Sequence, residues 1–171
     1  LERERQLERR PGEVEPGQVQ AGGGRVARVV ADALEAQQGD CWRLPIADAH
    51  AWDRALAQIT KAHGAPQRVL FALPLTEGDG AALVLALIAM WQALGRADQA
   101  AVRCLAVTSG ACRVATEAME RPGQGVVPGF LRVVPREYPG SRTRSIDLDA
   151  HAMASIEGSV ASLRREIEAD D

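Results

Sequence analysis

What most constrains this chain is a hydrophobic period that switches back and forth from about residue 41 to the C-terminal end. Cys41–Leu44, Arg68–Leu73, Val102–Thr108 and Thr143–Leu148 are short runs with β-branched and aliphatic residues, and they read as strands. The segments between them carry apolar residues at steps of three and four, the mark of helices. Strands alternating with helices of ten to fifteen residues imply βαβ units, a mainly parallel sheet and right-handed crossovers. Val102–Thr108 is apolar without alternation, as a strand covered on both faces should be.

The helix boundaries are partly legible. Asp48 is placed to cap a helix with Trp52, Leu56 and Ile59 facing inward, and His63-Gly64 to close it. Asp79 begins a longer apolar helix that runs to about Leu94. A short helical turn from Ala111, a helix from about Pro128 to Glu137 and a last helix from Met153 to Ala169 complete the series. Upstream, Val26, Val29, Val30, Ala33 and Leu34 predict an amphipathic helix stopped by Gly39. The expected fold is therefore α/β: a truncated Rossmann-like fold with a mainly parallel sheet flanked by helices, short of the strand count of a full dinucleotide-binding domain. Residues 1–21, rich in charge, Gly and Pro, read as a linker carrying at most a short exposed helix, and residues 22–171 as the domain.

Charge narrows the function. Twenty Lys and Arg against 23 Asp and Glu leave a net charge of −3, without the basic excess that phosphate backbones require, so nucleic acid is not an expected partner. The longest apolar run, Ala81 to Trp91, is about half of what a bilayer span needs, and no signal-peptide pattern precedes it. The expectation is a cytoplasmic protein without membrane contact. Cys41, Cys104 and Cys112 cannot all pair with one another and read as packing residues; His50, His63 and His151 match no zinc spacing and read as surface residues.

Three patterns resemble catalytic motifs, and each lacks a part. Gly22-Gly23-Gly24-Arg25-Val26-Ala27 fits G-x-G-x-x-G/A, but the preceding segment is polar and broken by Pro16, so a flexible entry loop is the expected reading. Tyr138-Pro139-Gly140-Ser141-Arg142 imitates the Tyr-x-x-x-Lys spacing of short-chain reductases, with Arg142 where lysine belongs and the tyrosine in a Pro-flanked turn. Ser109 beside Gly110 lacks the first glycine of G-x-S-x-G. No residue is assigned a catalytic, cofactor-binding or metal-binding role.

A set of spaced motifs resembles the structural subdomain of the ketoreductase of modular type I polyketide synthases. Val107-Thr108-Ser109-Gly110-Ala111 is similar to that family's V-T-x-G-A, Gly129 to Arg132 to its G-x-x-R, Glu137-Tyr138-Pro139 to its E-x-P, and Ile146-Asp147-Leu148-Asp149 to its x-D-L-D. The resemblance covers about Gly22 to Asp171. It implies structural roles for Thr108, Gly110, Glu137, Pro139, Asp147 and Asp149; Glu137, placed near a helix C-terminus where its charge is unfavourable, calls for a cation such as Arg132 or Arg136 or for backbone donors. It also implies a scaffold without its own cofactor, or a pseudo-ketoreductase. The implied partners are other synthase domains: the catalytic ketoreductase subdomain, dehydratase, methyltransferase or enoylreductase. The competing reading is a small NAD(P)-dependent short-chain reductase or nucleotide-binding domain. Val126, Val127, Phe130 and Val133 recur at helical spacing and are the expected face for docking a neighbour, unless that helix simply covers its own sheet.

Overall fold

The computed structural model describes residues 27–31, 35–75, 79–112, 121–148 and 155–168. The predicted linker, the Gly22–Gly24 loop, His151 and Asp149 lie outside the described residues.

The largest departure from the sequence reading is at the start. The predicted helix from Val26 to Leu34 is a strand, β1 (Arg28–Ala31), followed by β2 (Ala36–Gln38) and β3 (Cys41–Leu44). β1 runs parallel to β3, with Val29 opposite Trp42, and β2 runs antiparallel to it. The adjacent β-branched Val29 and Val30 suit a pleated surface better than a helix turn. What local periodicity does not carry is the partner strand, which satisfies the β1 backbone from a distance. Gly39 stops no helix; at φ +57° it opens the two-residue connection between Gln38 and Cys41, a conformation costly for any residue with a Cβ.

Elsewhere the described elements follow the predicted alternation, while the turn expected from Ala111 runs into residues 113–120, outside the described residues. Helix α1 (Ala49–His63) is capped by Asp48, whose carboxylate accepts from the His50 backbone N–H at 2.8 Å, and it ends at Gly64, φ +88°. Its two sides join two clusters: Ala51 and Ala55 pack with Trp42 and Leu44 of the hairpin sheet, while Leu56 reaches the main core. Trp52 is half-buried and donates its indole N–H to the Ile46 carbonyl at 2.8 Å. Strand β4 (Arg68–Phe71) leads through a 3₁₀ turn at Leu73–Leu75 to helix α2 (Gly80–Arg96), capped by Asp79. α2 buries Leu83, Leu87, Met90, Trp91 and Leu94 over the sheet. Strand β5 (Arg103–Ser109) lies between β4 and β6 (Arg142–Leu148), all parallel, with Val69 opposite Cys104 and Cys104 opposite Thr143.

The single helix expected from Pro128 to Glu137 is divided into α3 (Val126–Leu131) and α4 (Val134–Glu137), after a 3₁₀ turn at Pro122–Gly125. Pro135 has no N–H to offer the Leu131 carbonyl one turn back, so the ladder cannot continue. The Thr143 hydroxyl of β6 donates to that carbonyl at 2.9 Å instead. Helix α5 (Ile156–Glu168) closes the described chain and pairs with β6 through Arg144 and Glu166. No helix among the described residues is long and apolar enough to cross a membrane.

Candidate site at the carboxyl ends of the parallel strands

Open parallel sheets bind ligands in the crevice beyond the carboxyl ends of their strands, so these ends are where a cofactor site is sought. Asp147, next to last in β6, spends both carboxylate oxygens on its neighbour. Its Oδ1 accepts from the Thr108 hydroxyl at 2.7 Å and the Ala111 N–H at 3.0 Å, and its Oδ2 from the Cys112 N–H at 2.7 Å. Gly110 makes the turn possible at φ +66°, donating its N–H to the Leu148 carbonyl at 3.1 Å. The motifs T-x-G-A and D-L are thus two halves of one lock between β5 and β6.

A second lock joins β5 to the turn after β4. Gln124 is fully buried. Its carbonyl oxygen accepts from the Ser109 N–H at 2.8 Å and its amide nitrogen donates to the Pro74 carbonyl. Sequence reasoning missed Gln124; an amide in a Gly- and Pro-rich segment carries no periodic signal, and its only hint was a large polar residue flanked by Gly123 and Gly125. Ser109 is itself buried.

The remaining predicted residues are not gathered at this site. Glu137 is exposed at the end of α4 and, among the described residues, pairs with neither Arg132 nor Arg136. Pro139 lies in the exposed turn before Gly140, φ +93°. Tyr138 stacks on Trp91 with ring centroids 5.5 Å apart, close enough that a Cβ at Gly95 would meet its ring at 2.6 Å. Arg142 starts β6 on the sheet face opposite the core that holds Tyr138, so the Tyr-x-x-x-Arg spacing does not form a catalytic pair. Among the docking candidates, Val127 is a correction: it is fully buried in the chain's own core, where Leu131 and Val134 join it, because α3 faces its own sheet. Phe130 is half-buried against that core, and only Val126 and Val133 stand exposed, at 36% and 49%.

All three cysteines are free. Burial in β5 pushes the Cys104 thiol up to about 12, which keeps it neutral and unreactive. Among the described residues no cluster of His, Cys, Asp and Glu is suited to a metal ion. A shallow cleft of about 220 Å³ between hairpin and α1 is lined by Glu35, Trp42, Arg54 and Gln58. Its polar groups face each other: Arg54 pairs with Glu35, whose carboxyl that bond holds below the usual range, and Trp42 donates to Gln58 at 2.8 Å.

Residues 10–169 match the model of a family described as the Rossmann fold domain of the polyketide synthase extender module SpnB. No curated protein matches the chain. Among solved structures, an N-terminal ketoreductase from the macrolactin assembly line aligns with a TM-score of 0.55 and 15% identity over 72% of this chain. A structure of adenylation, ketoreductase and pseudo Asub domains, from a keto acid-selecting nonribosomal peptide synthetase module, aligns with a TM-score of 0.65 and 10% identity, again over 72%. The chain spans 27% of the first protein and 11% of the second. At these identities the likeness is one of fold.

Proposed function

We propose, for a chain that belongs to the family of Rossmann fold domains of the polyketide synthase extender module SpnB, a non-catalytic role: it is the structural subdomain of a synthase ketoreductase, or a pseudo-ketoreductase. In this role it scaffolds neighbouring processing domains in polyketide biosynthesis in the cytoplasm, binding no cofactor itself. The observation that carries the reading is that, among the described residues, backbone N–H groups at and just beyond the end of β5 are taken up by the chain's own side chains. Asp147 accepts from the Ala111 and Cys112 N–H groups and Gln124 from the Ser109 N–H, so these donors are engaged within the chain. The sequence also pairs its one tyrosine with arginine and not lysine.

The partners proposed are the catalytic ketoreductase subdomain and, in modules that carry them, dehydratase, methyltransferase or enoylreductase domains. Val126 and Val133 are the exposed apolar residues of the α3–α4 layer that fit such packing. The test is a reconstitution. The chain alone, given NADPH and a β-ketoacyl thioester, is expected to turn over nothing, and a catalytic ketoreductase subdomain supplied separately should gain stability or activity from it. Turnover by the chain alone would favour the competing small NAD(P)-dependent reductase, for which the Gly22–Gly24 run is the supporting pattern.

A further inference from the structure

The outward side of the α2–α3 layer is not an ordinary solvated surface. α2 carries no charged residue from Gly80 to Gly95, and away from the sheet it presents Leu85 at 51% exposure. A helix that is apolar all round is normally covered all round. α3 and α4 run alongside α2 in the same direction: a Cβ on Gly80 would meet the Gly123 carbonyl oxygen at 2.7 Å, and one on Gly95 would meet the Tyr138 ring at 2.6 Å. The exposed Val126 and Val133 thus stand on the same outward side as Leu85. Between these valines lies Gly129, exposed and in ordinary helical backbone, where a Cβ would meet nothing within 4 Å. Glycine is the least favourable helix residue after proline, and here neither backbone conformation nor crowding within the chain calls for it. At the end of the same side, the exposed Arg132 and Arg136 side chains meet no carboxylate among the described residues.

We propose that this side docks a helix from a neighbouring domain of the same polypeptide, crossing α3 at Gly129, with its apolar face on Leu85, Val126 and Val133 and a carboxylate against Arg132 and Arg136. Two helix axes come closest where the residue at the crossing point is smallest, and a glycine flanked by outward valines leaves the gap that a ridge of side chains enters. The two guanidinium groups select the charge of the visitor: each offers a planar fork of donors that a carboxylate fits, and neither has such a partner within the described chain. The apolar residues beside them select an amphipathic helix over an extended polyanion, which would need cations along its whole length. The proposal rests on the reading of this chain as one part of a larger module, and it adds to that reading the crossing point and the charge of the partner.

The test places a photoreactive benzoylphenylalanine at Leu85 in the full polypeptide and identifies the trapped peptide by mass spectrometry. The expected product is a single helical segment of another domain that bears Asp or Glu. Arg132→Glu with Arg136→Glu should lower the yield about tenfold, the loss of two exposed charge pairs, and the corresponding lysine variants should retain it. Gly129→Ala separates docking from folding. It should raise the melting temperature of this chain alone by about 2–4 °C, because a Cβ has room, and still lower the cross-link yield in the full polypeptide. A fall in that melting temperature would mean that the chain's own fold requires the glycine, and the idea would be lost. It is overturned as well if a protein of unchanged melting temperature gives no cross-link, if a second copy or residues 1–26 of the same chain are trapped, or if the yield is indifferent to charge reversal. NADPH titration of the same sample reads out the scaffold assignment separately, so the two failures are distinguishable.

Discussion

The hairpin half of the molecule and the parallel half are built from similar residues but held by different means. Among the described residues the parallel half has fifteen buried in one cluster, drawn from α1, β4, α2, α3, α4 and from β5 with Val102 just before it, and side-chain locks at its strand ends. The hairpin half has, among the described residues, a buried cluster of four, Trp42, Leu44, Ala51 and Ala55, with a glycine turn and one parallel pairing. The difference teaches that stability and legibility travel together: a segment that buries many side chains leaves a periodic trace in sequence, and a segment fixed by a partner strand does not.

The sharpest challenge to that contrast is Leu87→Ala. Leu87 is fully buried in α2, and its truncation should cost about 2–5 kcal/mol and lower the single unfolding transition seen by calorimetry. A loss confined to the hairpin would break the contrast. Next comes Asp147→Ala, which removes the acceptor of the Ala111 and Cys112 N–H groups and leaves the Thr108 hydroxyl only the Ile146 carbonyl; about 2–3 kcal/mol is expected by chemical denaturation.

These two residues also show what sequence could and could not convey. The apolar run around Leu87 announced its helix, and Asp48 and Asp79 were identifiable as caps because capping is a local bond. Asp147 was visible as a motif residue, yet its role required the 36-residue separation to Ala111 to close in space. Gln124 bonds a residue 50 positions away and was invisible for the same reason. Val29 and Val30 fit helical spacing and a pleated strand alike, and the parallel pairing with Cys41–Leu44 that decides between them is not a local signal. The break at Pro135 is carried by a residue without an N–H, and apolar periodicity runs straight across it.

Smaller effects refine the comparison. The Cys104 thiol is raised from 9.0 to about 12 by burial. Its neutral form is therefore favoured by folding, so its contribution is intact below pH 9.0 and is lost as pH climbs towards about 12. Relative to Cys104→Ala, the protein should lose about 1 kcal/mol more stability between pH 8 and pH 10. The same burial leaves Cys104 unmodified by Ellman's reagent in the native state at pH 8, while the exposed Cys112 reacts. Smallest is Gly39→Ala, where a Cβ at φ +57° should cost about 1 kcal/mol. Hydrogen exchange in that variant should quicken in β2 and β3 and stay unchanged in β5; faster exchange in β5 would show that the halves are not held separately.

The central claim is that this Rossmann fold keeps its strand ends for itself. Isothermal titration of the folded chain with NADPH tests it most directly: the account predicts no saturable heat, for the native chain and for Gly24→Val alike. Saturable binding with a micromolar dissociation constant, abolished by Gly24→Val, would contradict it, since the glycines of a G-x-G-x-x-G pattern serve the close approach of a pyrophosphate.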